Sequence, residues 1–290
     1  MYKFEKYNDK FETIKLTDVN NESFFEVVPE RGGIITRFSY KGNDILYLDR
    51  ETLLDTEKNI RGGIPILFPI CGYLADGRYR INNNEYKMRQ HGIARLNRWE
   101  VLDRNIDKSA SITLKFSSND ETKKAYPFDF DVIYTYSLKD GTLSVLQDYI
   151  NKSNVDMPFY AGFHPYFYIM NKNNIELNIN SNQYYDTIDK EIHNYNGKLD
   201  FTKPEVNIIF SDASGTSGIF DNERNIKISL YYDSIFKYVV IWSLIGKDFI
   251  CLEPWMAKPD SMNTGKDVQI LKPDENLKAT FSISCSINNV

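Results

Sequence analysis

The chain has 290 residues, of which 42% are hydrophobic and 14% aromatic, and a net charge of -5. That apolar share supplies a sizeable core, and the acidic balance argues against a nucleic-acid partner. No apolar run reaches the length of a membrane span, and the start Met1-Tyr-Lys-Phe-Glu-Lys-Tyr has no signal-peptide character.

In chain order the dominant period is two, the mark of strands with one buried face. SFFEVV (23–28) and GIITRFSY (33–40) open the series. TLLDTEKNI (52–60) has scarce helical periodicity, enough for a turn or two. Next come GRYRI (77–81) and EYKM (85–88), separated by Asn82-Asn83-Asn84, then SITLKFS (111–117). DVIYTYSLK (131–139) and TLSVLQDYI (142–150) flank Asp140-Gly141, a favoured two-residue hairpin turn. IELNINS (175–181), NIKISLYYD (225–233), KYVVIWSL (237–244) and DFICLE (248–253) read as strands, and SDASGTSG (211–218) and DNERN (221–225) as loops. LKATFSISCSI (277–287) alternates without a break, Leu277, Ala279, Phe281, Ile283, Cys285 and Ile287 on one face. Many short strands with polar turns, and no βαβ alternation, predict an all-β fold: a large antiparallel sandwich or barrel. With no linker and no internal repeat, one domain over residues 1–290 is expected. Cys71, Cys251 and Cys285 make no metal-type pair and suit buried thiols in a reducing cytoplasm.

Four stretches break the alternation. RGGIPILFPICG (61–72) is apolar and turn-rich, with glycines suited to close backbone approach. Arg61 at its edge suits a carboxylate, hydroxyls or a phosphate. RQHGIARLNRW (89–99) gathers His91, Arg89, Arg95 and Arg98: a solvated basic face, or a site for a polar or anionic ligand. By itself His91 reads as structural. AGFHPYFYI (161–169) holds His164 among aromatics; Pro165 biases it towards extended backbone. A histidine there is usually a satisfied core residue, but its pKa near neutrality suits proton transfer. DFICLEPWMAKPD (248–260) puts Glu253 at the end of an apolar strand, beside Trp255. Desolvation there makes a carboxylate a stronger base; pairing with an arginine is the plain alternative.

In this order, Arg-Gly-Gly-Ile-Pro, His-Gly-Ile-Ala-Arg, Phe-His-Pro-Tyr-Phe and Glu-Pro-Trp resemble the aldose 1-epimerase (galactose mutarotase-like) family, in wording closest to its LacX-like branch and similar also to the hexose-6-phosphate mutarotases. The likeness runs from about Gly32 to Ile287. It implies a twisted β-sandwich with a sugar cleft across one sheet, and interconversion of α and β anomers without cofactor or metal. By likeness, His164 is the general acid on the ring oxygen and Glu253 the general base on the anomeric hydroxyl. His91 hydrogen-bonds near the anomeric centre, and Arg61 and Arg95 line the sugar pocket.

The arginine motif before the first histidine differs from that of the galactose mutarotases, so galactose is not implied. The acidic substrate contact of those enzymes has no clear match; Asp212 is a candidate only. Three readings stand: a mutarotase of a free hexose; one of a phosphorylated hexose clamped by Arg61, Arg95 and Arg89 or Arg98; and a non-catalytic carbohydrate-binding protein on the same scaffold. A glycosidase needs two carboxylates, and only Glu253 stands in a site-like setting. The expected partner is a small sugar; exposed edge strands leave monomer and homodimer both open.

Overall fold

The computed structural model describes residues 1–213 and 215–287. Two eight-stranded antiparallel sheets dominate it. The first runs Ile175–Ile179, Thr216–Asp221, Ile226–Tyr232, Asn276–Ile287, Thr142–Asn151, Phe130–Lys139, Ala110–Ser117, Glu100–Asn105. The second runs Ile192–Asn194, Gln183–Asp186, Glu205–Phe210, Tyr238–Leu244, Phe249–Trp255, Gly162–Phe163, Ile66–Leu67, with Tyr166–Tyr168 also paired to Phe249–Trp255. A five-stranded sheet at the N-terminal end includes Tyr2–Asn8 and Glu12–Asp18, which alternation had not marked.

The alternating faces meet as expected. Ala279, Phe281, Ile283 and Cys285 are buried. Phe281 stacks on Phe163 of the second sheet with ring centroids 4.7 Å apart, and Tyr134 tilts against Phe163 at 5.8 Å. This inter-sheet layer is aromatic, and its hydroxyls find partners. Tyr134 and Tyr149 share a 2.6 Å hydrogen bond, and Tyr149 donates to buried Gln147. Pairing them matters, because an unmatched buried hydroxyl costs about 1–3 kcal/mol.

Asp140 (φ 51°) and Gly141 (φ 73°) both take the left-handed backbone of a hairpin turn. The short helix is Arg50–Leu54, N-capped by Asp49; of the stretch 52–60 where a helical turn was expected it includes only Thr52, Leu53 and Leu54. Three expectations are corrected. Thr216–Gly218 is not loop but the start of a strand, because pairing to Ser229–Tyr231 outweighs its turn-like composition; Ser214 of that stretch lies outside the described residues. Asp221 of DNERN ends the same strand and caps the turn, accepting from the Glu223 and Arg224 amides. Glu253 does not end its strand, which continues through Pro254 to Trp255.

Among the described residues no helix is long and apolar enough to cross a membrane. The cysteines Cys71, Cys251 and Cys285 are all free and buried.

Candidate functional site

The four irregular stretches are laced together by backbone hydrogen bonds. The RGGIPILFPICG segment lies in the middle. His164 and Tyr166 donate their amides to Pro65 and Gly63, and Tyr160 to Pro69. On the other side Ile93 and Ala94 donate to Phe68, and His91 to Gly72 at 2.7 Å. The last stretch joins through Gly162 opposite Trp255 and Met256 N–H to Ala161. Gly92 shows why glycine stands beside His91: its φ is 73°, and a Cβ there would fall 2.2 Å from the Phe68 carbonyl oxygen.

The result is a cleft of about 300 Å³ on the outer face of the second sheet. Arg61, His91, Arg95, His164 and Glu253 all line it. In the strand Phe249–Trp255, Ile250 and Leu252 join the main core, while Phe249 and Cys251 pack with Tyr166 and Trp242 in a second apolar cluster. Glu253 follows Cys251 by two residues and shares its face.

His164 Nδ1 lies 3.3 Å from Glu253 Oε1. The approach is misaligned for a hydrogen bond, so Nδ1 is buried without a hydrogen-bond partner. The His164 ring stacks almost parallel on Tyr166, with centroids 4.7 Å apart and planes 8° apart, and meets Trp242 edge-on. Glu253 is 1% exposed; its Oε2 accepts from Trp255 Nε1 at 3.1 Å. Burial pushes the Glu253 carboxyl pKa well up, and the Trp255 hydrogen bond only partly opposes it. Burial pushes His164 down to about 3, helped by the positive charges of Arg95 and Arg61. Both shifts work against charge: burial disfavours the carboxylate of Glu253 and the imidazolium of His164.

His91 Nδ1 accepts the Gly72 amide at 3.1 Å, so the neutral ring carries its proton on Nε2. Burial and the charge of Arg95 hold its pKa well below the usual value. The His91 ring meets His164 and Trp255 edge-on, at 5.4 and 5.7 Å.

Arg95 reaches the Gln90 carbonyl at 2.8 Å, while its Nε is buried without a hydrogen-bond partner. Burial lowers its pKa to about 10. Arg61 is anchored at its backbone by the Thr52 hydroxyl and lays its guanidinium over Trp242, 5.4 Å from the ring. Arg89 is not among the cleft-lining residues, and Arg98 lines a separate hollow with Lys6, Glu12 and Arg104.

A second carboxylate enters where only one was expected. Glu205 lines the cleft, and its Oε1 accepts from Trp242 Nε1 at 2.8 Å. Asp212 stays outside, exposed and bonded to Ser181. Nothing in the residues around Glu205 marks it; only the pairing of Glu205 with Leu244 and of Asn207 with Trp242 brings it to the cleft wall. Asn207, Thr187 and Gln90 are further polar lining residues that local sequence did not single out.

The family profile "Aldose 1-epimerase" matches residues 15–284. Among solved structures, the Slr1438 protein from Synechocystis sp. PCC 6803 is 35% identical, with a TM-score of 0.94 over 97% of this chain and 100% of that one. A galactose mutarotase-like protein from Clostridium acetobutylicum has the same fold at 20% identity, with a TM-score of 0.85 over 99% of each chain. Protein LacX of Lactococcus lactis subsp. lactis is 25% identical over 243 residues, 70% of this chain and 77% of its own length.

Proposed function

The chain belongs to the aldose 1-epimerase family, and on that premise we propose that it interconverts the α and β anomers of a free hexose, with Glu253 and His164 moving the protons. The observation that carries this reading is the buried pair, 3.3 Å apart, at the wall of a polar cleft.

Ring opening breaks the C1–O5 bond and makes C1=O1. A base takes the proton of the O1 hydroxyl while an acid gives one to O5. Glu253 as carboxylate and His164 as imidazolium supply both, and one proton serves the pair. After opening, the proton taken from O1 rests on Glu253, and His164, having given its own to O5, is neutral. Rotation about C1–C2 presents the other carbonyl face, and the reverse transfers close the ring as the second anomer. The uncharged pair, towards which burial pushes both groups, is the form that matches the open-chain aldehyde. The ionised pair that attacks a closed ring forms when a proton passes from Glu253 to His164. Trp255 Nε1 steadies the carboxylate. His91, whose Nε2 also contacts the Gln90 side-chain amide at 3.2 Å, stands near the reacting atoms, and Glu205 is an acceptor for sugar hydroxyls.

Arg95 favours a second reading. Its buried Nε has no hydrogen-bond partner, and Arg61 stands on the same cleft. Two guanidiniums suit a phosphorylated hexose.

Saturation-transfer NMR of glucose, galactose and their 6-phosphates, in buffer free of phosphate, tests both readings. Accelerated exchange of the free sugars, lost by about 10²–10⁴-fold in Glu253→Gln and His164→Ala, is expected. Exchange of the 6-phosphates alone, inhibited by sulfate, moves the assignment to the phosphorylated hexose. Full activity in both variants, or a sugar that binds with no acceleration, overturns the catalytic reading.

A further inference from the structure

The strand that carries Glu253 also carries a thiol. Cys251 and Glu253 stand two residues apart on one strand face, and Tyr166 pairs with Cys251 on the neighbouring strand. That register sets His164, two residues before Tyr166, beside Glu253. Cys251 Sγ, a Glu253 carboxylate oxygen and a His164 ring nitrogen lie within 4.8 Å of one another.

We propose that Cys251, Glu253 and His164 form a binding site for a thiophilic divalent cation of the zinc class, and that its occupation arrests proton transfer. The reaction itself needs no such ion; the site is inhibitory. Its inhibitory part rests on the function proposed above, while the binding part does not.

Geometry carries the argument. Tetrahedral zinc, with bonds of roughly 2.0–2.3 Å, sets its donors roughly 3.3–3.6 Å apart. The His164–Glu253 separation of 3.3 Å already meets this, and Cys251 Sγ lies within 4.8 Å of both partners' donor atoms. A separate observation points to a ligand: His164 is 8% exposed, and its Nδ1, buried beside Glu253, has no hydrogen-bond partner. One sulfur, one nitrogen and one oxygen suit zinc or cobalt, whereas magnesium and calcium prefer sets made of oxygen. The cleft leaves the fourth position to a water or a sugar hydroxyl. Trp242 and Tyr166, both paired with Cys251, wall the site laterally.

Charge also balances. Arg95 and Arg61 oppose a lone cation here, but a thiolate and a carboxylate together neutralise a divalent ion. Both acids must lose their protons to bind it, so affinity rises with pH. Once bound, the ion occupies the carboxylate that takes the O1 proton and the imidazole that serves O5.

Binding of Zn²⁺ and Co²⁺ to the full chain, followed by competition with a chromogenic chelator, tests the site directly. One equivalent is expected, with a sulfur-to-cobalt charge-transfer band in the near ultraviolet. Cys251→Ser and Cys251→Ala, two variants so that one folding failure does not decide the matter, should abolish the band and weaken binding at least about tenfold. The Asp186, Asp189 and His193 group is the other His-containing cluster among the described residues, so His193→Ala is the control and should leave binding unchanged. In the anomer-exchange assay Zn²⁺ should slow the wild type, a chelator should restore it, and Mg²⁺ should do neither. Each Cys251 variant, compared with its own metal-free rate, should be at least about tenfold less sensitive to Zn²⁺. Absence of the cobalt–thiolate band, or binding that survives both Cys251 variants and disappears in His193→Ala, overturns the site. Binding that depends on Cys251 but leaves exchange unaffected overturns the inhibition. If no sugar exchanges at all, the cobalt band still decides the site while the proposed function fails separately.

Discussion

His164, in the break between the short strands Gly162–Phe163 and Tyr166–Tyr168, and Glu253, in the strand Phe249–Trp255 that both pair with, place Nδ1 3.3 Å from Oε1 under nearly complete burial. Two ionisable groups in so dry a place act on stability in opposite senses. The folded-state pKa of His164 is depressed from 6.5 to about 3. Its contribution is therefore full above pH 6.5 and is lost as pH falls towards 3, because the unfolded chain binds a proton that the folded one refuses. Glu253 is raised above 4.5. Its contribution is full below pH 4.5 and is lost as pH rises, because the folded chain must hold or expel a proton that the unfolded chain has already released. Glu253→Gln should thus raise the thermal midpoint at pH 7–8, and His164→Gln should flatten its fall between pH 6.5 and 4. Midpoints measured across that range check both, and a lower midpoint for Glu253→Gln at pH 8 would contradict the first.

Trp255 donates the hydrogen bond that favours the charged form of Glu253. In Trp255→Phe the carboxyl should hold its proton more tightly. Turnover at pH 7 should drop about 10- to 100-fold, the worth of a hydrogen bond to a charged group. Part of the loss should return at alkaline pH, because the descending limb, where the pair gives up its one proton, moves up with the Glu253 pKa. A uniform loss at every pH would mean that the ring acts by packing alone.

Glu205 lines the cleft with one oxygen engaged by Trp242. Glu205→Gln keeps the shape and removes the charge. If Glu205 accepts from hydroxyls, KM should rise about tenfold with a smaller change in kcat, the signature of lost ground-state binding. Steady-state rates over a range of sugar concentration separate the two, and an unchanged KM would remove Glu205 from substrate contact.

Gly92 has a left-handed φ and no room for a Cβ against the Phe68 carbonyl. Gly92→Ala should cost about 2–4 kcal/mol in denaturant unfolding and pull His91 from Gly72, raising KM as well. A neutral substitution would show that the loop yields more easily than its contacts suggest.

Much of this was legible without the fold. LKATFSISCSI aligns its apolar residues on one face by alternation alone, because a strand's side-chain period is local backbone geometry. Asp140-Gly141 announced its hairpin because few residues accept positive φ. The irregular stretches marked Arg61, His91, Arg95, His164 and Glu253, since proline and glycine break the alternation where the chain must turn around a cleft.

What local sequence left undecided was proximity. Arg95 and Arg98 stand three residues apart in one basic stretch, yet Arg95 lines the cleft and Arg98 another hollow. Glu205 has no distinguishing neighbours and becomes a cleft wall only through its pairing with the strand that carries Trp242. Cys251 and Glu253 share a face by simple alternation, but His164 joins them only through the register of Tyr166 opposite Cys251. The sequence by itself determined strand faces, turns and the chemical types at the site, because those follow from local backbone preferences and side-chain identity. The tertiary structure decided which groups meet, because strand order and register depend on burying distant faces together.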